Sequence, residues 1–330
     1  MPGADAANVF TCNDLPGTIR LREFIERENP RRAVIVGSGY IGLEVADAFA
    51  QRGLAVTIIE RSDALLDGIE TEIAGRVEAE LFEHGVELIK GSAANAIEKD
   101  GGRAIAVQHG ANGRHEVDLV LLATGIAPRV ALAESAGIQL GATGAIAVDE
   151  RMLTSTASIY AAGDCAEVKN LVTGKASYFP LGTTANKQGR VAGENAGGGN
   201  ATFPGVVGTL VTKVYSLEIA KTGLSLQQAR ANGFQPDSFT LTATSRAKYF
   251  HGKPLMLKLV WDRASGRVLG CQMVAQEGVA KRIDVVALAL QARMTVEDLL
   301  YADLSYAPPF APVWEPLLIA AHEAQKKLRG

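Results

Sequence analysis

The chain has 330 residues, 47% apolar and 21% charged, which is a globular composition too long for one ordinary core. A formal charge of −3 and a pI near 6.0, with Lys and Arg scattered, give no basis for a nucleic-acid partner. No run of about 18 uncharged apolar residues occurs, so no membrane partner or span is expected.

Residues 1–29 read as a lead-in: a loop, then a helix around Thr18–Arg27 that stops before Pro30. The opening MPGADAANVF lacks the basic and apolar regions of a signal peptide. Cys12, Cys165 and Cys271 are widely spaced and form no CxxC, so no metal site and no disulfide framework is expected. A cytoplasmic, reducing location fits that usage.

The most informative stretch follows. Ala33–Val36 is a short apolar run suited to a buried parallel strand. Gly37, Gly39 and Gly42 then stand in G-x-G-x-x-G spacing, and Ile41, Val45 and Phe49 continue as a helix that stops at Gly53. A second strand, Ala55–Ile59, ends on Glu60. Gly37 permits a tight turn, Gly39 lets the backbone approach a pyrophosphate, and Gly42 lets helix and strand pack closely. The helix N-terminus presents N–H groups to phosphates, and Glu60 stands where a carboxylate can accept both ribose hydroxyls of an adenosine. In this strand–turn–helix context the motif reads as dinucleotide binding. A carboxylate beside a 2′-phosphate is a like-charge clash, so Glu60 favours NAD(H) over NADP(H), although Arg61 and Ser62 soften it.

The unit continues with a helix over Glu72–Glu83, closed by Gly85, and a strand over Val86–Lys90. Three β segments, Ala94–Glu98, Ala104–His109 and Glu116–Leu122, are separated by Gly-rich turns and predict an antiparallel meander. The third runs into Ala123-Thr124-Gly125. From about residue 145 the pattern changes. Ala147-Val148-Asp149 reads as a short strand, Ile159–Asp164 as an apolar run ending in Gly163-Asp164, and Leu181–Asn195 as a helix. The C-terminal stretch reads as an α+β module with strands at Gly208–Tyr215, Ser238–Arg246, Leu255–Trp261 and Arg267–Val274. Its helices are one opened by the capping box Ser225-Leu-Gln-Gln228, then Val279–Arg293, one starting at Thr295, and Trp314–Leu328.

Taken together these pieces resemble the flavoprotein pyridine nucleotide–disulfide oxidoreductases, with the coenzyme A disulfide reductase and NADH oxidase branch most similar. Gly37-Ser-Gly-Tyr-Ile-Gly-Leu-Glu44 is similar to the family's NAD motif and Ala123-Thr-Gly125 to its ATG segment. Ala162-Gly-Asp164 is similar to its second FAD motif, and Ala185-Asn-Lys-Gln-Gly-Arg190 to the helix beneath the flavin. The resemblance implies an α/β fold: a Rossmann-like NAD(P)-binding domain at 30–146, the C-terminal half of an FAD-binding domain at 147–203, and an α+β dimerisation domain at 204–330. Residues 1–29 would be a lead-in helix from the FAD domain.

The implied activity is hydride transfer from NAD(P)H to flavin and on to a disulfide, persulfide or oxygen. The alternative is an NAD-binding dimeric module without redox turnover. Tyr40 would lie over the flavin and swing aside for nicotinamide, unless it is a packed aromatic at a helix start. Glu44 would orient the nicotinamide amide, unless it is an ordinary helix carboxylate, with Ile41 and Gly125 beside it. Gly163 and Asp164 would meet FAD near its pyrophosphate, though Asp164 also suits an N-cap. Leu181, Gly182 and Thr183 would bring backbone groups to the flavin. Tyr249 and Tyr306 match tyrosines that face coenzyme A and flavin, where a phenol can position or protonate a thiolate; the other reading is interface aromatics.

The resemblance has departures. Trp314 stands where the family often has a basic residue for coenzyme A phosphates. The family also opens with an FAD-binding βαβ unit and a helix bearing a redox cysteine, and neither is matched here. The chain therefore reads as an N-terminally truncated form, incomplete for catalysis, with FAD doubtful in it. A homodimer acting on a small thiol or disulfide, with coenzyme A a candidate, is the implied assembly and substrate.

Overall fold

The chain, described over residues 1–329 in a computed structural model, places its nucleotide motif on a parallel sheet. That region comprises β1 (Val9–Phe10), α1 (Leu15–Glu28), β2 (Arg32–Val36), α2 (Tyr40–Gln51), β3 (Ala55–Ile59), α3 (Thr71–Glu83) and β4 (Glu87–Ile89). A meander follows in β5 (Ala94–Asp100), β6 (Arg103–His109) and β7 (Gly113–Glu116), and β8 (Leu119–Leu122) returns to the first sheet. The parallel sheet runs β1-β8-β2-β3-β4, and the meander is antiparallel.

The apolar run of β2 is buried on both faces because the sheet is covered twice. Ala33 and Ile35 pack with Leu43, Ala46 and Phe49 of α2, whereas Val34 and Val36 pack with Val107 of the meander. Helix α1 starts at Asp14, whose carboxylate accepts the Gly17 N–H at 2.6 Å, and ends at Asn29 in a left-handed conformation. Its Leu21 and Phe24 belong to the same core as α2, so this segment packs on the nucleotide sheet. The strand expected over 116–122 is two strands. The chain leaves the meander after Glu116 and joins β2 from Leu119, with the Asp118 carboxylate accepting the Arg31 and Arg32 N–H groups between them.

After α4 (Ala131–Ser135) comes a largely irregular block with β9 (Val168–Lys169), β10 (Ala176–Ser177) and α5 (Gly182–Ala196). The strand expected at 147–149 does not form. The Asp149 carboxylate accepts the Arg151 and Leu153 N–H groups and turns the chain, and pairing is confined to isolated bridges such as Ile146 with Ala166.

The C-terminal module contains β11 (Leu210–Val214), β12 (Leu217–Gly223), α6 (Leu226–Ala231), β13 (Pro236–Thr244), β14 (Pro254–Asp262), β15 (Val268–Ala275), α7 (Val279–Gln291), α8 (Val296–Leu300) and α9 (Pro316–Arg329). Its antiparallel sheet runs β11-β12-β15-β14-β13. Strand β12 is an addition to the expected set. Alternation along the sheet serves two cores. Leu217, Ile219 and Val274 pack with the nucleotide unit, while Ala220, Cys271 and Met273 pack with α7 and α9. Among the described residues no helix is long and apolar enough to cross a membrane.

Candidate functional site

The carboxyl ends of β8, β2 and β3 lie side by side, and the chain leaves β2 toward β3 on one side with β8 on the other. This is the switch point of an open α/β sheet, where such sheets take ligands. Gly37 and the Ala123–Gly125 segment meet here. Gly37 has φ +103°, and a Cβ on it would stand 2.4 Å from the Ala123 carbonyl oxygen. A Cβ on Gly42 would stand 2.2 Å from the Gly37 carbonyl oxygen. At Gly39 the added atom would meet nothing within 4 Å. The outer glycines are needed for packing, and the middle one faces open space at the start of α2. No side chain caps α2, whose first intrahelical bond runs from the Leu43 N–H to the Gly39 carbonyl. Free N–H groups over an open cradle suit an anionic pyrophosphate, so the residues fit a dinucleotide.

Glu60, at the end of β3, is engaged within the protein. Its Oε2 accepts the Ser38 N–H at 2.9 Å and the Ser38 hydroxyl at 2.8 Å; its Oε1 accepts the Ser62 N–H and hydroxyl, both at 2.9 Å. Partial burial raises its pKa, but these donors outweigh burial and hold the carboxyl below its ordinary range. Ser62 was named from sequence only as softening the clash with a 2′-phosphate and Ser38 was not singled out, although a serine next to the motif glycine and one two residues after the acid are the local signal for such bonds.

Tyr40 and Glu44 both turn toward neighbouring protein. Tyr40 packs against the core shared by α2 and α3, and its hydroxyl is buried without a hydrogen-bond partner. Burial pushes the phenol up, as does the Asp67 carboxylate. Exposed Glu44 accepts the Thr212 hydroxyl of β11 at 2.6 Å. Thr212 lies far along the chain, so no sequence signal links it to Glu44.

A second group of candidates gathers at α5. Gly163 donates its N–H to the Gln188 side chain at 2.9 Å, and the Gln188 amide donates to the Glu167 carbonyl at 2.9 Å. The wholly buried Gln188 thereby ties the Gly163-Asp164 turn to the helix begun by Leu181, Gly182 and Thr183. Asp164 is exposed, its carbonyl accepting the Tyr178 hydroxyl at 2.8 Å. The N-terminus of α5 has no side-chain cap, and nothing would meet a Cβ on Gly182. This turn and open helix end fit one side of a flavin nucleotide.

Tyr249 and Tyr306 lie in the C-terminal module, 72% and 50% exposed. Their loops are fastened together by the Ala247 N–H to the Pro308 carbonyl at 3.3 Å and by Arg246 to the Pro309 carbonyl. Arg246 in turn pairs with Glu277 at 2.9 Å. Phe310 and Trp314 stand on the same stretch, also exposed. The thiols sit elsewhere. Cys271 is fully buried and burial pushes its thiol up; burial also raises Cys12, and the Cys165 thiol donates to the Ala162 carbonyl. Among the described residues no His, Cys, Asp and Glu cluster is placed to hold a metal.

Residues 2–189 match the family described as pyridine nucleotide-disulphide oxidoreductase, and residues 210–317 match its dimerisation domain. The chain is 42% identical to an NAD(P)H sulfur oxidoreductase (CoA-dependent) of Pyrococcus abyssi, over 97% of this chain and 71% of that protein. It is 35% identical to an NADH oxidase of Methanocaldococcus jannaschii, over 99% of this chain and 72% of that one. The solved structure of an NAD-dependent persulfide reductase from A. fulgidus superposes with a TM-score of 0.96 at 39% identity, covering all of this chain and 61% of that one. The chain thus spans about three fifths of that structure's length.

Proposed function

The chain belongs to the pyridine nucleotide-disulphide oxidoreductase family, and from that premise we propose that it forms the NAD(P)H-binding and dimer-forming part of a sulfur-reducing oxidoreductase. The observation that carries this is the open cradle at Gly39 between two glycines that tolerate no side chain, with a carboxylate closing the next strand. Gly37 and Gly42 shape the turn so that Gly39 and Ile41, at the open start of α2, meet the pyrophosphate; Glu60 meets the adenosine ribose, and Glu44 and Gly125, with Tyr40 once it leaves its packed position, border the nicotinamide.

Gly163, Asp164, Leu181, Gly182 and Thr183 hold one side of FAD, which when bound relays the electron pair between nicotinamide and acceptor. The net reaction is NAD(P)H plus a proton plus a disulfide giving NAD(P)+ and two thiols, or the equivalent with a persulfide. The sulfur acceptor is preferred over oxygen because the sulfur oxidoreductase and persulfide reductase are more similar to this chain than the NADH oxidase is. Domains at 30–146, 147–203 and 204–330 divide these tasks, and two copies join through the last. Tyr249 and Tyr306, on loops held together by Arg246, face the thiol substrate across that dimer.

Calorimetric titration of the 330-residue protein with NADH tests the reading. Saturable one-to-one binding in the micromolar range is expected, at about −8 kcal/mol. No heat with either NADH or NADPH from folded protein would overturn it.

A further inference from the structure

A carboxylate offers about four acceptor positions, and those of Glu60 are all taken by Ser38 and Ser62. The two serines differ. Ser38 is 1% exposed, and its backbone and hydroxyl both point to Oε2. Ser62 is exposed, and its hydroxyl has a second acceptor, the Ala64 carbonyl at 2.8 Å. One hydroxyl proton serves one strong acceptor at a time, so Ser62 releases a position on Oε1 by turning to Ala64. Ser38 has no such alternative among its hydrogen bonds.

Resting on the dinucleotide reading above, we propose that Ser38 is a positioning residue that restricts Glu60 to one ribose hydrogen bond where a free carboxylate would make two. With NADH bound, Oε1 accepts from the ribose while Ser62 turns to Ala64, and Oε2 remains with Ser38. The ribose gains less from this acid than from an unengaged one. The charge that would repel a 2′-phosphate is also partly compensated by inward donors. Ser38 therefore narrows the preference for NADH over NADPH.

The test is calorimetric titration of the full chain and its variants with NADH and NADPH, with melting temperature recorded for each. In the parent protein the two affinities are expected within about tenfold. Ser38→Ala removes the hydroxyl bond while the backbone N–H stays, which frees one acceptor position on Oε2 and widens the preference for NADH by roughly tenfold, the effect of one charge-assisted hydrogen bond. Ser38→Thr, which keeps the hydroxyl, retains the parent ratio. Ser62→Ala leaves the ratio within about threefold, because that hydroxyl already yields. In a Glu60→Ala background Ser38→Ala changes nothing further. Should Ser38→Ala fail to fold, Ser38→Gly removes the same hydroxyl without a buried methyl. An unchanged ratio in the folded Ser38 variant, or an equal effect from Ser62→Ala, overturns the assignment. Absence of binding to either nucleotide by the parent protein overturns the dinucleotide reading beneath it.

Discussion

Replacing each glycine of the Gly37–Gly42 turn by alanine separates binding from folding. At Gly42 the new methyl would stand 2.2 Å from a backbone oxygen, so strand and helix must part. Overpacking of that kind costs about 1–3 kcal/mol. At Gly37 a comparable clash at 2.4 Å is joined by a φ of +103°, a conformation that adds roughly 1–3 kcal/mol of strain. Gly39 is different. Its φ of −69° suits alanine, and nothing lies within 4 Å of the added atom. Gly39→Ala should therefore leave stability unchanged or raise it by about 0.4–1 kcal/mol through the unfolded chain. The same methyl occupies the space the pyrophosphate needs. Loss of one or two charge-assisted backbone hydrogen bonds, about 1.5–3 kcal/mol each, weakens NADH roughly tenfold to more than a hundredfold. Melting by circular dichroism and NADH titration by calorimetry read the two effects. Parent-like NADH affinity in Gly39→Ala would refute the cradle, and parent-like melting in Gly42→Ala would refute the packing argument.

Four further outcomes are expected. Glu60 has a depressed pKa, so its carboxylate form is lost only as pH falls below the ordinary range of about 4; NADH affinity should be flat between about pH 5 and 8, and a step in calorimetric affinity inside that window would count against this placement. Phe310→Asp, at a side chain 79% exposed in the single chain, should leave melting at low concentration unchanged and shift a dimer to monomer by light scattering; an unchanged mass would remove that loop from the interface. Lys258→Met strands the Glu70 and Glu72 carboxylates that the ammonium meets at 2.8 and 3.1 Å. Removing one partner of a buried pair costs roughly 3–5 kcal/mol, discounted here because Glu72 is half-exposed, and chemical denaturation should show the loss. The 330-residue chain should release thiol from coenzyme A disulfide only at background, since burial raises the Cys12 and Cys271 thiols and the Cys165 thiol is turned to the Ala162 carbonyl; steady thiol release would contradict this.

Local chemistry made the nucleotide unit legible, and changes of partner hid the rest. Strand β3 has the bounds its apolar run predicts, because Val56–Ile59 is buried, β2 pairs along the whole of Ala55–Ile59, and the run follows a glycine stop. The run from Glu116 to Leu122 shows no break in pattern, yet its first residue pairs with β6 and its last four with β2. Only tertiary pairing distinguishes the two. Strand β12 escaped notice because the turn before it, Tyr215-Ser216, has no glycine or asparagine to announce it; Tyr215 adopts φ +50° in its place. The Thr212 contact to Glu44 and the Gln188 clamp on Gly163 join residues distant in the chain, which a linear reading does not reveal.

Those distant contacts bear on how the helix behind the glycine turn is held. Glu44 and Asp47, three apart on α2, share a face. Glu44 accepts the Thr212 hydroxyl at 2.6 Å, and Asp47 accepts the Tyr215 N–H at 3.0 Å. Farther out, Glu80 of α3 accepts both the N–H and the hydroxyl of Ser216, and His84 stacks on Tyr215 with ring centroids 3.8 Å apart. Tyr215 lies among apolar groups, its hydroxyl buried and unpaired, and burial with the nearby Asp47 and Glu80 carboxylates moves the phenol up to about 12. The β11–β12 turn is thus fixed by carboxylates from α2 and α3 of the nucleotide unit, with Leu217 and Ile219 extending the same core beneath it. Helix α2 is therefore oriented by the C-terminal sheet as well as by its own strand, and so is the N-terminus proposed to address the pyrophosphate. Binding at such an end requires little ordering of the backbone, and that lowers the entropic cost of holding a dinucleotide. The sheet assigned to dimerisation is in this sense part of the nucleotide site's support.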